Sequence, residues 1–267
     1  MSAPGQDVPN AWQPLTPRGV AAFGRAPLRR LLLVQLVVAV LAAGTMVWFL
    51  HRCWFSTIGK AIQALPPRGT LRSGTLEWSE ISPVCLAEGR FLAFVVDLDH
   101  AGQARSPAHV QVEFGRKDVK VYSLLGYAKR VYPRGQTVPF NRTELVPWWG
   151  AWAPAILAMA GGLTVGAAMV GWACLATLYC LPAWLLGFFA NRDCSLTGTW
   201  RMAGASLIPG ALLLCAAVFL YGWGTLDLVR LAVGWAAHLV AGWAYLFFSL
   251  VSLPRHPAAP PKTNPFV

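Results

Sequence analysis

The stretch LLLVQLVVAVLAAGTMVWFL, residues 31–50, contains no charged side chain and decides the fold. A helix needs about 20 apolar residues to cross the hydrocarbon core of a bilayer. Arg29 and Arg30 precede the run and Arg52 follows it, so we predict a transmembrane helix over 28–52. The run is longer than a signal peptide requires and has no small-x-small cleavage motif, which favours a retained anchor.

The composition of the whole chain is typical of an integral membrane protein. Hydrophobic residues make up 56% of the 267 residues and charged residues only 12%, whereas soluble domains carry about 25% charged residues. The net charge of +11 is scattered, without the basic stripe interleaved with aromatic residues that nucleic-acid binding needs. We therefore exclude nucleic acid as a partner and expect the lipid bilayer to be the surface that the basic tails contact.

Three further apolar segments, 148–190, 202–222 and 231–250, form a predicted transmembrane bundle over 148–252. As one helix the first segment would be about 65 Å long, twice the ~30 Å hydrocarbon core. It either crosses once, with the part around Pro182 at the inner surface, or crosses twice. The predicted fold class is a membrane α-helical bundle of four spans, with five as the alternative, and a small inserted α/β extracytoplasmic domain.

The two ends of the chain set the predicted orientation. Segments 1–27 and 253–267 are rich in Gly, Ala and Pro, which predicts flexible tails. Their basic residues, such as Arg18, Arg25 and Lys262, favour the cytoplasmic side of a membrane. Two cytoplasmic termini require an even number of spans, which favours four. We expect a multi-pass protein of the bacterial cytoplasmic (inner) membrane.

The segment 53–147 is long enough for a small core of its own, and we predict an extracytoplasmic α/β domain there. Apolar spacing within 56–65 predicts that the first helix continues as a short stalk. Strands are predicted in GTLRSGTLEW (69–78), in RFLAFVV (90–96) as a central strand buried on both faces, and in HVQVEFGRKDVKVYSLL (109–125) as a hairpin. We expect one sheet of three to five strands with one or two helices.

Asp97, Asp99 and His100 follow the predicted central strand and are the candidate catalytic or metal-binding group. Paired aspartates after an apolar strand are typical of haloacid-dehalogenase phosphotransferases, but Ala101 stands where those enzymes have Thr or Val. On a strand the two aspartates would share a side and His100 would point away, which does not suit a metal. We prefer a polar turn whose aspartates accept bonds from backbone amides, and we assign no catalytic, cofactor-binding or metal-binding residue.

A resemblance to known proteins extends over residues 30–250. In order, GTLRSGTLEW, FLAFVVDLDHAG, a hairpin, a long apolar helix and GTWRMAGASLIPGALLL resemble a group of uncharacterised bacterial membrane proteins encoded near maltodextrin-utilisation genes. In that group a span with proline near its start follows an arginine, here Pro209 after Arg201, and Asp-Thr tends to stand where this chain has Asp97-Leu98. The membrane half is also distantly similar to the Yip family, which helps to organise membrane traffic. The resemblance implies no enzyme activity.

Three further predictions concern individual residues or pairs of residues. Gly162 and Gly166 have the spacing that lets helix backbones approach closely, and we expect them to pack on the chain's own helices, with self-association or an unknown protein partner as the alternative. His238 is the one titratable residue well inside a predicted span, and we expect it to bond another helix. Cys53 and Cys85 both lie in the segment between the first two spans, and we expect no disulfide between them.

These patterns favour a non-enzymatic integral membrane protein whose extracytoplasmic domain binds a partner, senses a signal or organises the membrane. The first alternative is a transporter or transport accessory subunit, which predicts a polar path through the bundle. The second is a membrane-surface hydrolase, which predicts that Asp97, Asp99 and His100 converge in a cleft. No cofactor is expected in the favoured interpretation.

Overall fold

The computed structural model describes residues 12–255, which form two compact units. The helical unit comprises Met1–Thr45 and Gly161–Val267, as far as these are described, and the sheet unit comprises Met46–Ala160. A π-helical turn, His51–Phe55, joins the second helix to the third. The helices are α1 Pro17–Phe23, α2 Leu28–Leu50, α3 Ser56–Gln63, α4 Arg142–Phe189, α5 Leu196–Trp223 and α6 Leu228–Ser252.

Within residues 12–255, four helices are long and apolar enough to cross a membrane: α2 continued through α3, then α4, α5 and α6. The first of them extends from Leu28 to Gln63, which confirms the predicted stalk. Helix α4 is unbroken through Pro182 for 48 residues, about 72 Å at 1.5 Å per residue. A segment that crosses twice needs a turn, so the five-span alternative for 148–190 is wrong.

The helical unit packs around fully buried apolar side chains. The largest of these come from α1, α2, α5 and α6 and are Phe23, Leu31, Met202, Ile208 and Leu246. If the unit lies in a bilayer, as predicted, close van der Waals packing of these side chains, and not their removal from water, holds the helices together.

Part of the N-terminal tail predicted over 1–27 is folded. Thr16 caps α1 with a side-chain hydrogen bond of 3.1 Å to a backbone N–H. Val20 and Phe23, one helical turn apart, are fully buried in the helical unit. The predicted flexible tail is wrong for α1, because a tail-like composition contained an apolar pair with helical spacing. Nearly all of the other predicted tail, 253–267, lies outside the described residues.

A glycine brings α5 close to α6, but the predicted glycine pair on α4 does not pack. A Cβ added at Gly210 would overlap the backbone oxygen of His238, so the two helices cross where only glycine fits. A Cβ added at Gly162 or Gly166 would meet nothing within 4 Å. The expectation that these two glycines pack on the chain's own helices is therefore wrong, and self-association through them stays a prediction.

His238 and two cysteines have local environments that the sequence did not specify. The His238 ring contacts the backbone oxygen of Trp235, one turn earlier in α6, and its ring lies 5.9 Å from that of Trp235. The partner of His238 therefore belongs to its own helix and not to another one. Cys53 is buried and Cys85 is exposed, and within residues 12–255 no disulfide joins them.

The sheet unit contains two sheets instead of the single sheet predicted. Its strands are β1 Thr70–Arg72, β2 Thr75–Glu77, β3 Val84–Glu88, β4 Leu92–Val96, β5 Val110–Phe114, β6 Asp118–Ser123, β7 Gly126–Val131 and β8 Val138–Pro139. A three-stranded sheet has the order β2-β1-β8, and a five-stranded sheet has the order β3-β4-β5-β6-β7. The prediction failed because β7 and β8 lack the apolar runs or alternation that identified the other strands, and the apolar run of β3 is only four residues long.

The three-stranded sheet joins the beginning of the sheet unit to its end. β1 pairs with β2 across residues 73–74, both of which have positive φ, as tight hairpin turns require. β1 also pairs with β8, where Thr70 lies opposite Pro139. The backbone N–H of Arg142 donates to the carbonyl of Pro66 at 3.0 Å. The segment that enters the strands, at Pro66, and the segment that leaves them, at Arg142, are therefore adjacent.

The five-stranded sheet has β4 and β5 parallel and all other neighbours antiparallel. β4 is the predicted central strand, and β5 and β6 form the predicted hairpin. The burial of β5 is the reverse of its hydropathy. Gln111 and Glu113 are buried, whereas Val110, Val112 and Phe114 are only half-buried. Alternation identified the two faces of the strand but did not show which face another segment covers.

Candidate functional site

Asp97, Asp99 and His100, the three residues singled out in the sequence, lie in three different environments. Asp97 is 2% exposed and accepts a hydrogen bond from the backbone N–H of Gly102 at 3.0 Å. The side chain of Asp99 is 80% exposed and lies 3.5 Å from the guanidinium of Arg116. His100 turns inward between two other carboxylates. Asp97 thus bonds a turn amide as predicted, and the two aspartates do not converge.

The segment 97–109 connects β4 to its parallel neighbour β5 and contains no helix. Parallel strands need a crossover of this length, which is usually helical. Gln111 holds the segment twice, because its side chain donates to the carbonyl of Ala104 at 3.0 Å and accepts from the N–H of Ser106 at 2.8 Å. Polar side chains of the sheet therefore hold an irregular crossover in the place of a helix.

Five polar side chains, two from this segment and three from β5 and β6, form what we call the crossover cluster: Asp97, His100, Gln111, Glu113 and Asp118. His100 is its centre, with Nδ1 2.5 Å from Oε1 of Glu113 and Nε2 2.7 Å from Oδ1 of Asp118. A neutral imidazole donates only one hydrogen bond, whereas the imidazolium donates two. The bridge between two carboxylates therefore suits the protonated ring. Through it, His100 ties the crossover to β5 and β6.

The backbone of His100 adopts a conformation that surrounding contacts must maintain. Its φ is 54°, in the left-handed region that residues other than glycine seldom occupy. The imidazole lies directly over Gly115, where an added Cβ would overlap the ring. The carbonyl of Gly115 accepts a hydrogen bond from the hydroxyl of Tyr132 at 3.1 Å. Strained backbone of this kind persists where the neighbouring structure determines it.

Asp118 has the clearest electrostatic signature in the crossover cluster. Burial alone raises the pKa of its carboxyl, but hydrogen bonds and charge from Lys129 and His100 outweigh this effect and hold the pKa below its ordinary value of 3.8. Lys129 Nζ lies 3.1 Å from Oδ2 of Asp118. Nearby, burial raises the pKa of Tyr132 far above its usual value, and the charge of Asp118 adds to this effect. The cluster therefore contains an ionised carboxylate at neutral pH.

The side chains of the crossover cluster are not arranged as a catalytic or metal-binding site. A general base needs a free nitrogen or carboxylate oxygen directed at a substrate, yet both nitrogens of His100 contact carboxylates. No three His, Cys, Asp or Glu side chains in residues 12–255 are placed to hold a metal ion. The contacts of His100 with Glu113 and Asp118 hold the crossover segment, residues 97–109, against the sheet.

The sequence did not reveal that Glu113 and Asp118 belong with His100. Each occurs in or beside a strand whose polar positions alternate with apolar ones, which is typical of a solvent-exposed face. A useful signal was the pair of acidic residues on either side of the β5–β6 turn. Only the strand register and the path of the crossover, both non-local, bring these side chains together.

A second candidate site is an open groove of about 600 Å³ beside the three-stranded sheet. Two cations, Arg68 and Arg116, line it together with Glu77 and Trp78. Glu77 accepts a hydrogen bond from the hydroxyl of Thr70 at 2.6 Å. Charge of both signs and an indole surface suit a small polar ligand. This groove is therefore the candidate binding surface among the cavities of the sheet unit.

Two arginines in or before α5 bind backbone carbonyls in the helical unit. Arg201 donates to the carbonyl of Ala26, between α1 and α2, and Arg192 donates to the carbonyl of Leu253, both at 2.6 Å. Leu253 is the C-cap of α6, and carbonyls at a helix C-terminus lack a partner in the helix itself. The two arginines thus have a structural role in the helical unit.

No protein-family model, curated protein or solved structure matches the chain. The resemblance to maltodextrin-associated and Yip proteins therefore stays a prediction.

Proposed function

We propose that the chain is a non-enzymatic protein of the bacterial inner membrane, with four spans, both termini in the cytoplasm and the sheet unit outside. The sheet unit serves as a binding or sensing module. The observation that carries the proposal is the closed crossover cluster on a unit attached to four apolar helices. Its charged groups bond one another instead of facing a cavity, so they stabilise a surface for recognition.

The hydrolase alternative requires Asp97 and Asp99 to act together. Asp97 is buried under the crossover and bonded to Gly102, whereas Asp99 faces solvent beside Arg116. A nucleophile and a general acid must both reach the same substrate atom or its neighbour. The separation of the two side chains therefore supports a non-enzymatic role.

The transporter alternative requires polar groups directed into a path through the helices. In the helical unit, four buried polar side chains each donate to a backbone carbonyl: Gln35, Thr199, Ser206 and Ser249. Because these four side chains are also buried, none of them lines an open path through the helices. This pattern supports a role in packing.

The location of the sheet unit is tested by cysteine accessibility in intact cells. Ile81 is 84% exposed, so Ile81→Cys in a Cys85→Ser/Cys174→Ser background provides a reporter for the sheet unit. Native Cys85 is a poorer reporter, because burial and the charge of Glu88 raise its pKa and thereby reduce the reactive thiolate. A membrane-impermeant maleimide should label Ile81→Cys, and should label Lys262→Cys only after permeabilisation.

The background without an added cysteine is the control for both positions. Protection of Ile81→Cys in intact cells would place the sheet unit in the cytoplasm and contradict the proposal. Labelling of Lys262→Cys without permeabilisation would contradict four spans with both termini inside. Hydrolysis of p-nitrophenyl phosphate by the purified chain, lost in Asp97→Asn, would overturn the non-enzymatic assignment.

A further inference from the structure

The connection between β6 and β7 has an unusual composition for a hairpin turn. Ser123 pairs with Gly126, so only Leu124 and Leu125 form the turn. Their exposed fractions are 66% and 101%. Two-residue turns in water strongly favour Asn, Asp and Gly, and here both positions are leucine. Two adjacent apolar side chains project from the end of the sheet.

The side chain of Ser123 forms hydrogen bonds with two backbone groups of this turn. The hydroxyl of Ser123 accepts from the backbone N–H of Leu125 and donates to the carbonyl of Gly126, both at 3.3 Å. Backbone groups without a partner are costly where water is scarce. The turn is therefore built in a way that suits a medium less polar than water.

The turn lies at the end of the sheet that adjoins the last turn of α2. The register aligns Leu92 with Val110, Val110 with Ser123 and Ser123 with Gly126 in one row. The residue before this row, Phe91, has its ring 5.4 Å from that of Phe49 in α2. Three strand spacings separate the two ends of the row, about 14 Å. The two leucines and the contact between Phe91 and Phe49 therefore lie at the same end of the five-stranded sheet.

Polarity rises in steps along the hairpin away from its tip. After the leucines comes the cross-strand pair Tyr122 and Tyr127, with ring centres 6.0 Å apart. The next pair on the same face is Lys120 and Lys129, of which Lys129 also pairs with Asp118. A further cation, Arg105, lies over the ring of Tyr122. Four residues of strand, about 13 Å, separate each leucine from the lysine on its own strand. With the leucines at the inner edge of a headgroup layer of ~5–8 Å, the lysines lie just beyond that layer. Apolar, amphipathic and basic layers thus follow in the order that an anionic membrane surface presents.

The turn at the opposite end of the sheet provides an internal comparison. β5 and β6 are connected through Gly115, Arg116 and Lys117, and the last two side chains are exposed. This turn follows β5 at its far end, about 17 Å from the row that contains Val110. One sheet therefore presents an apolar turn next to the end of α2 and a basic turn away from it.

We propose that the Leu124–Leu125 turn inserts into the headgroup region of the bilayer that holds the protein's own helices, and so fixes the orientation of the sheet unit on an anionic lipid surface. This inference rests on the proposed membrane location. It assigns a docking surface to the sheet unit in addition to the groove beside the three-stranded sheet.

The test uses the full chain reconstituted in vesicles of phosphatidylcholine and phosphatidylglycerol. Leu125→Cys, in the Cys85→Ser/Cys174→Ser background, carries an environment-sensitive NBD fluorophore. Lys117→Cys with the same label is the matched control at the opposite turn. Lipids with a shallow spin label should quench the fluorophore at 125 severalfold more than at 117, and its emission should be shifted to the blue.

A second label, at Leu124→Cys, tests whether the fluorophore at 125 perturbs the turn. It should be quenched to the same extent as the label at 125. Equal, water-like emission at 124, 125 and 117 would overturn the inference. Blue-shifted emission at 125 without quenching by lipid would also overturn it, since the turn would then contact protein, such as a second copy. If the chain fails to float with the vesicles, the proposed membrane location fails instead.

Discussion

The helical unit and the sheet unit bury polar groups in different ways. In the helical unit the buried polar side chains are uncharged, and each bonds a backbone carbonyl. In the sheet unit the carboxylate of Glu113 is 1% exposed and faces His100. An uncharged group needs only a hydrogen-bond partner, whereas a buried carboxylate needs a countercharge as well.

Because of this difference, the two units should be destabilised by different kinds of substitution. The sheet unit depends on charged side chains that are distant in sequence and meet only after folding. The helical unit depends on close approach of backbones, as at Gly210 beside His238. Hydrogen exchange measured by mass spectrometry on the full chain in detergent reports the two units separately, because local opening free energies differ across a structure.

The largest effect is expected for His100→Asn, which removes the bridge while keeping a residue that tolerates positive φ. Glu113 loses its contact with His100 and stays buried. Breaking a buried ion pair by removing one partner costs about 3–5 kcal/mol. Exchange should therefore accelerate in β4, β5 and β6 and remain unchanged in α5 and α6.

The exposed Asp99 is the matched control for His100, since it is the preceding residue in the same turn. Asp99→Asn should change stability by less than about 0.5 kcal/mol. Similar exchange rates in His100→Asn and Asp99→Asn would show that the bridge does not stabilise the sheet unit. Faster exchange in both units of His100→Asn would show that the units are not independent.

A smaller effect in the other unit is expected for Gly210→Ala. The added Cβ would overlap the backbone oxygen of His238, and overpacking of this kind costs about 1–3 kcal/mol. Exchange should accelerate in α5 and α6 but not in the strands. Gly162→Ala is the control, because its Cβ has open space and alanine favours a helix by about 1 kcal/mol over glycine. Equal destabilisation by the two substitutions would refute the role assigned to Gly210.

The smallest effect is a pH dependence confined to the sheet unit. The pKa of Asp118 in the folded state lies below its ordinary value of 3.8. Its ionised form therefore contributes stability that is present above the ordinary pKa and is lost as pH falls through the folded pKa. Asp118→Asn, read by thermal unfolding of the full chain from neutral to acidic pH, should lose part of this acid sensitivity. Asp99→Asn should retain it, and an unchanged pH profile in Asp118→Asn would contradict the assignment.

Hydropathy and alternation predicted the parts of the fold that depend on neighbouring residues. The four apolar helices, the buried strand β4 and the β5–β6 hairpin all have a periodic signal within one segment. Helix α1 was missed because its apolar pair lies in a segment with the composition of a tail. Strands β3, β7 and β8 were missed because pairing partners, not their own residues, determine them.

The candidate sites depended still more on distant contacts. The turn amide bonded to Asp97 was predicted, since an aspartate often bonds the backbone near it. The partners of His100 were not, because Glu113 and Asp118 reach it only through the path of the crossover. The close approach at Gly210 was likewise invisible, since the sequence shows a glycine but not the helix that crosses it.

The pairing of β1 with β8 has a consequence for the order of biosynthesis. β1 is the first strand of the sheet unit to be made and β8 is the last, so β1 waits for its second neighbour until all other strands exist. Contacts between residues far apart in sequence form late, because the loop between them must first close. The three-stranded sheet therefore completes only after β8 has been synthesised, and until then β1 has β2 as its one neighbouring strand.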